Sequence, residues 1–165
     1  MPASRERFVS EMAGHTPARL RATDTAEQAV RGADLIVLVT SSPTPVIDNA
    51  WVANGAHVVS VGACFPTQRE MDPALVARGR FYVDSRAAAA VESGDFVMGV
   101  RDGFFTDSHI AGEVGDVVLG RAAGRSSAAE VTVFKSLGLA VEDVVAADLV
   151  LSRAVEQGAG AELTL

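Results

Sequence analysis

The chain has 165 residues, enough for one domain with its own core or for two very small ones. Hydrophobic residues make up 48% and charged residues 21%, a globular composition rather than a disordered one. Fourteen basic against twenty-one acidic residues leave a net charge of −7, which argues against a nucleic-acid partner, and the longest apolar run, Leu35–Val39, is strand-sized, well short of the ~18 residues of a membrane span.

In chain order, Ser4 to Met12 reads as a short helix with Ser4 as N-cap and Gly14 past its end. Ala18–Ala22 reads as a short strand. Asp24-Thr-Ala-Glu27 has capping-box spacing and predicts a helix to about Arg31, stopped by Gly32. Asp34 to Thr40 is a continuous aliphatic run, the pattern of a strand buried on both faces. Pro43 and Pro45 make the next segment a loop, followed by a short helix around Asp48–Ala53. His57–Val61 is a second buried strand closed by Gly62. Asp72–Arg78 is a helix with Pro73 at its first position, and Phe81–Asp84 is a third strand. Ser85 caps a helix over Arg86–Glu92 that ends at Gly94. Beyond it the pattern predicts a helix over Glu113–Leu119, a short strand over Thr132–Phe134, a helix over Ala140–Val155 with one broad apolar face, and a frayed tail over Gly158–Leu165.

Strands of four to seven residues alternating with helices of six to ten are the signature of parallel βαβ units, so the fold class is α/β. Cys64 stands alone, which excludes an intrachain disulfide and a cysteine-based zinc site, and His15, His57 and His109 show no metal-ligand spacing. The N-terminal MPASRERFVSE carries charges where a signal peptide needs apolar residues, so the chain is expected to be soluble and cytoplasmic.

In an open parallel sheet, ligands bind beyond the carboxyl ends of the strands. Those ends are Thr40-Ser41, Gly62-Ala63-Cys64 and Asp84-Ser85. They are small and polar, and Gly62 would allow a flat ring or a sugar to lie on the backbone; they also suit ordinary turns. No G-x-G-x-x-G follows a strand in the sequence, so the expected cradle for a pyrophosphate is missing.

The segments Ala33-Asp-Leu-Ile-Val-Leu-Val-Thr40, Trp51-Val-x-x-Gly55-Ala-His57-Val-x-x-Val61-Gly62-Ala63, Arg69-Glu70-Met71-Asp72, Tyr82-Val-Asp84-Ser85-Arg86, Gly112-Glu-Val-Gly115-Asp-Val117 and Thr132-Val-Phe-Lys135-Ser136-Leu-Gly138-Leu-Ala-Val141-Glu142-Asp143 resemble, in this order, the ornithine cyclodeaminase/mu-crystallin family. The resemblance implies a partial Rossmann-like, doubly wound parallel sheet with flanking helices. It divides the chain into a partial NAD(P)-binding domain over residues 1–139 and a C-terminal helix and tail over 140–165. Family members are about twice this length, and the sequence is similar to their C-terminal half. The glycine-rich turn and the substrate-binding and dimerisation region would lie upstream of Met1.

Carried over residue by residue, the resemblance makes Thr40, Val61, Gly62 and Ser136 contacts of an NAD or NADP cofactor, with Thr40, Gly62 and Ser136 converging on one hollow. It places Cys64 at the position where cyclodeaminases and related alanine dehydrogenases carry a proposed acid/base Asp. Loss of that carboxylate argues against ornithine cyclodeamination, which must move protons near neutral pH, and favours ketimine reduction or amino-acid dehydrogenation. A catalytic thiol at 64 would need a nearby cation, and Arg69 is the one adjacent in sequence; a small side chain packed at a turn is the alternative. Lys135, just before a helix start, suits packing or ion pairing better than catalysis, and Glu142-Asp143 suit solvation of the helix start. The implied partners are a small amino or imino acid and either a second copy or a chain supplying the missing half. The alternatives are an NADPH- or small-ligand-binding protein and a truncated, non-catalytic remnant.

Overall fold

The computed structural model describes residues 2–161 and residue 163. Five short parallel strands form one sheet: β1 (Leu35–Leu38), β2 (His57–Ser60), β3 (Arg80–Val83), β4 (Ile110–Glu113) and β5 (Thr132–Lys135). Their order is β1-β2-β5-β3-β4, so the last strand inserts at the centre, between β2 and β3. The register pairs His57 with Thr132 and Thr132 with Arg80, which aligns the carboxyl ends of β2, β5 and β3.

Seven helices accompany the strands: α1 (Pro2–Met12), α2 (Ala26–Val30), α3 (Pro73–Arg78), α4 (Arg86–Glu92), α5 (Gly94–Arg101), α6 (Val114–Val118) and α7 (Ala140–Gln157). Their starts follow local chemistry. The side chains of Thr25, Asp72 and Ser85 each accept a hydrogen bond from a first-turn amide of α2, α3 and α4. The core lies on one face of the sheet, where Val58, Phe81, Val83 and Val133 meet Leu75 and Val76 of α3 and Phe96 of α5. Phe81 stacks on Phe96 at 6.0 Å between centroids, and Phe96 on Phe105 at 5.8 Å.

Several elements depart from the sequence expectation, each for an identifiable reason. Ser4 lies inside α1, and Thr25 rather than Asp24 caps α2. The segment over 18–22 is not a strand; β1 pairs only with β2 among the described residues and no strand runs beside 18–22. The 48–53 segment tightens to a single 3-10 turn over Asn49–Trp51. β1 is not buried on both faces: Ile36 and Leu38 are buried, whereas Leu35 is 60% and Val37 53% exposed. β2 likewise buries Val58 and Ser60 and leaves His57 and Val59 half-buried.

The helix α5 and the strand β4 were absent from the expectation. Gly94 opens α5 instead of only ending α4, because Ser93 caps both: it closes α4 and its hydroxyl accepts from the amide of Phe96. Gly94 is required by close approach, since a Cβ there would overlap the carbonyls of Gln68 and Phe65. In β4, Gly112 faces the Tyr82 ring and the Ala122 methyl. The apolar face of α7 meets no core: Val141, Val144, Val145 and Leu149 are all exposed. Glu142 does lie at its start, where its carboxylate accepts from the Leu139 amide at 3.4 Å. Part of the expected frayed tail, residues 162, 164 and 165, lies outside the described residues.

Leu75 is fully buried between α3 and the sheet. Leu75→Ala is therefore expected to lower unfolding free energy by about 2–5 kcal/mol in a urea titration, the range for a leucine-sized core cavity.

Candidate functional site at the carboxyl edge of the sheet

The carboxyl ends of β1, β2, β5 and β3 run into Thr40, Val61-Gly62, Ser136 and Asp84. These turns are organised from below by carboxylates that face inward. Glu70 is brought here because the 70–71 segment is pinned to the loop after β1: the Val46 amide donates to the Glu70 carbonyl at 2.9 Å, and Ile47 bridges to Met71. Met71 then points into the core and Glu70 toward the strand ends, both fully buried. One oxygen of Glu70 accepts from the Thr40 amide at 2.5 Å. The other accepts from the Ser60 hydroxyl at 2.8 Å and from the amides of Gly62 at 2.9 Å and Ala63 at 3.2 Å. Burial pushes the Glu70 carboxyl up, but these donors outweigh it and hold it below its usual range.

Two further buried charges complete the cluster. Lys135, the last residue of β5, donates from Nζ to the Ala63 carbonyl at 2.6 Å and to the Ser60 hydroxyl at 3.1 Å. Its Nζ lies 3.7 Å from the Asp95 carboxylate, and both side chains are fully enclosed. Asp95, in the first turn of α5, accepts from the amides of Glu70 and Met71 at 3.1 and 3.0 Å. Burial dominates there and raises the Asp95 carboxyl, despite Lys135 and those amides.

Asp84 acts similarly at the end of β3. One of its oxygens collects the amides of Leu137 at 2.6 Å and Gly138 at 2.8 Å and the Ser136 hydroxyl at 3.3 Å. Gly138 has φ +83°, so this turn into α7 needs glycine. The Ser136 amide donates to the Ser60 carbonyl at 3.0 Å, continuing the β2–β5 ladder to the edge.

The structure therefore brings Thr40 and Gly62 into direct backbone contact, with Ser136 on the next strand of the same edge. A Cβ on Gly62 would overlap the backbone of Thr40. The space that glycine leaves is filled by β1, so close strand packing, not an open platform for a ring, explains it. A groove of about 330 Å3 that includes Thr40 runs along the outer flank of β1 with Ile36, Leu38 and Val46, and neither Gly62 nor Ser136 lines it. Thr40 and Val61 are exposed, Ser136 half-buried. Cys64 is half-buried with its thiol 3.4 Å from the Val61 carbonyl. Arg69 is not its cation: the guanidinium pairs with Asp102 at 3.0 Å.

Sequence reasoning gave no role to Glu70 or Asp95, whereas its reading of Lys135 as suited to packing or ion pairing agrees with the buried contact to Asp95. Glu70 and Lys135 stand in quoted motifs, but nothing local says that they face the same turn from opposite sides. Among the described residues no group of three His, Cys, Asp or Glu is placed to hold a metal ion, and no helix is long and apolar enough to cross a membrane. His57 bonds through Nδ1 to the Thr132 hydroxyl at 2.7 Å, and partial burial holds its imidazole below its usual range.

An all-parallel sheet with its polar turns gathered on the carboxyl edge is an open α/β architecture, in which ligands bind outside the carboxyl ends of the strands. The chain belongs to the ornithine cyclodeaminase/mu-crystallin family, whose family model matches residues 1–158. It is 43% identical over 145 residues to the ketimine reductase mu-crystallin of Rattus norvegicus, covering 88% of this chain and 42% of that protein. It is 40% identical over 136 residues to a Delta(1)-pyrroline-2-carboxylate reductase of Bacillus cereus, covering 82% and 42%. Among solved structures, it superposes with TM-score 0.92 and 31% identity on the Delta(1)-pyrroline-2-carboxylate reductase of Thermococcus litoralis in complex with NADH and L-proline, over 99% of this chain and 50% of that one. The iminosuccinate reductase of Paracoccus denitrificans in complex with NAD+ gives TM-score 0.86 at 29% identity, over 100% and 50%. The chain spans about two fifths of the length of the curated relatives and half that of the solved ones.

Two predictions follow from this geometry. Gly62→Ala is expected to lower stability by roughly 3 kcal/mol, the upper end for overpacking, because backbone rather than a flexible side chain occupies the space; thermal melts would measure it. Asp95 has a raised carboxyl pKa, so its ionisation disfavours the folded state as pH climbs from the ordinary aspartate value through the raised one. Urea titrations across that window are expected to show wild type losing stability relative to Asp95→Asn as pH rises, and a pH-independent difference would contradict the assignment.

Proposed function

We propose that this chain forms the nicotinamide-side wall of an NAD(P)-dependent reductase of small imino acids. Ketimine reduction, or the related dehydrogenation of amino acids, is favoured over ornithine cyclodeamination. The observation that carries the reading is the alignment of Thr40, Gly62 and Ser136 along the ends of three adjacent strands, with Thr40 and Gly62 locked together. The ketimine and pyrroline-carboxylate reductases among the relatives support it.

The donor set fits the nicotinamide end of such a cofactor. Thr40 and Ser136 offer hydroxyls, and the adjacent carboxylates Glu70 and Asp84 are already taken up by internal amides, so no free negative charge lies beneath the ligand. The sequence has no glycine-rich loop for the pyrophosphate. Thr40, Val61, Gly62 and Ser136 would hold the nicotinamide riboside, and the cofactor, when bound, supplies the hydride. Cys64, at the family's Asp position, would border the substrate without a carboxylate's capacity to shuttle protons to an amine. Residues 1–139 would form the cofactor unit, with 140–165 a separate helix and tail. A homodimer or a chain carrying the other half of the relatives' length would complete the cleft.

The test is a titration of the purified chain with NADH and NADPH, followed by nicotinamide fluorescence, then by loss of reduced cofactor on adding Delta(1)-pyrroline-2-carboxylate. Saturable binding below ~1 mM is expected, the weak end of ordinary affinities. Turnover would support the reductase, binding without turnover would favour the ligand-binding alternative, and no binding would sink the reading.

A further inference from the structure

We propose that Glu70 and Lys135 form a positioning clamp on the Ala63 peptide, setting the direction in which Cys64 leaves the turn after β2. The inference deepens the reading above and rests on it for the identity of the ligand the turn would face. The clamp itself is visible in the hydrogen bonds.

Three consecutive peptide planes are fixed by charged groups. The Gly62 and Ala63 amides donate to one oxygen of Glu70, at 2.9 and 3.2 Å. The Ala63 carbonyl, in the next plane, accepts from Lys135 Nζ at 2.6 Å. A peptide is a rigid plane, so fixing three in succession fixes both soft dihedrals of Gly62 and of Ala63. The N and Cα atoms of Cys64 lie in the third plane and are placed with it, so only rotation about the Cys64 N–Cα bond is left to aim its Cβ. Ser60 joins the two jaws: its hydroxyl accepts from Lys135 at 3.1 Å and donates to Glu70 at 2.8 Å. The other Glu70 oxygen ties the same assembly to Thr40.

A buried ion pair such as Lys135–Asp95 gains little over apolar packing, so stability alone is a weak reason for burying Glu70, Lys135 and Asp95 together here. Orientation of the turn is a better one. All four partners of Glu70 are donors, so an amide at position 70 would set an NH2 against an N–H or O–H. Glu70→Gln therefore disrupts the clamp while keeping its volume.

Cys64 is the only cysteine in the chain, so its alkylation by iodoacetamide reports on the turn without need of activity. Well below the melting temperature, Glu70→Gln and Lys135→Met are each expected to raise the alkylation rate by about tenfold or more, as local opening becomes easier. Leu75→Ala, a core variant distant from the turn, serves as the control for general loss of stability. The clamp is overturned if the rates stay at wild type, or if Leu75→Ala raises the rate as much. Should a charge variant fail to fold, Ser60→Ala removes the bridge and keeps both charges; a smaller rise is expected, and a wild-type rate overturns the proposal. NADH titration of wild type and Glu70→Gln forms the second arm, with affinity expected to weaken about tenfold, or ~1.4 kcal/mol. If wild type binds no NADH, the functional reading falls and the thiol rates alone decide the clamp.

Discussion

A single carboxylate holds the end of the sheet together. Glu70 accepts four hydrogen bonds, from Thr40 beyond β1 and from Ser60, Gly62 and Ala63 at the end of β2. Hydrogen bonds to ionised acceptors contribute roughly 1.5–3 kcal/mol each, and three of the four donors here are backbone amides, the fourth being the buried Ser60 hydroxyl. The same bonds explain why Glu70 stays ionised in spite of full burial. Asp95, a few ångströms away in the same cluster, shifts the opposite way because its partners do not offset its desolvation. The Lys135 ammonium pairs with the Asp95 carboxylate at 3.7 Å and reaches Glu70 only through the Ser60 hydroxyl.

Asp84 repeats this logic one strand further on, gathering Leu137, Gly138 and Ser136 at the start of the turn into α7. At both places a carboxylate that might have faced a ligand faces the protein instead. The outward side is left with hydroxyls and peptide groups. An edge built this way presents neutral hydroxyls and peptide groups outward rather than free carboxylates. It also makes the shape of the turns, not their side chains, the main determinant of what fits.

The strands and capped helices were legible because their causes are local. The aliphatic run 35–38, Asp72 before Pro73, and Ser85 before Arg86 each act over a few residues. What lay beyond reach was long-range. Glu70 meets Thr40 across 30 positions, Asp95 meets Met71 across 24, and Lys135 meets Ala63 across 72. No propensity or spacing rule encodes those pairings. Gly94 misled for a related reason: it answers a close approach from the Phe65 and Gln68 carbonyls, whereas sequence alone reads glycine as punctuation. Burial was misjudged at β1 because a hydrophobic run announces a need for cover without saying whether this chain supplies it.

That last point separates two parts of the molecule. Leu35 and Val37 on β1, and Val141, Val144, Val145 and Leu149 on α7, leave apolar surface in contact with water. Exposed apolar residues in such number mark surface whose cover the described residues do not supply. The edge site does not share that dependence. Glu70, Lys135, Asp95 and Asp84 are buried and hydrogen-bonded to the turns around them, and the cluster rests on the covered face, against Met71 and α5. The geometry of the Gly62-Ala63-Cys64 turn is therefore set by charges this polypeptide buries for itself.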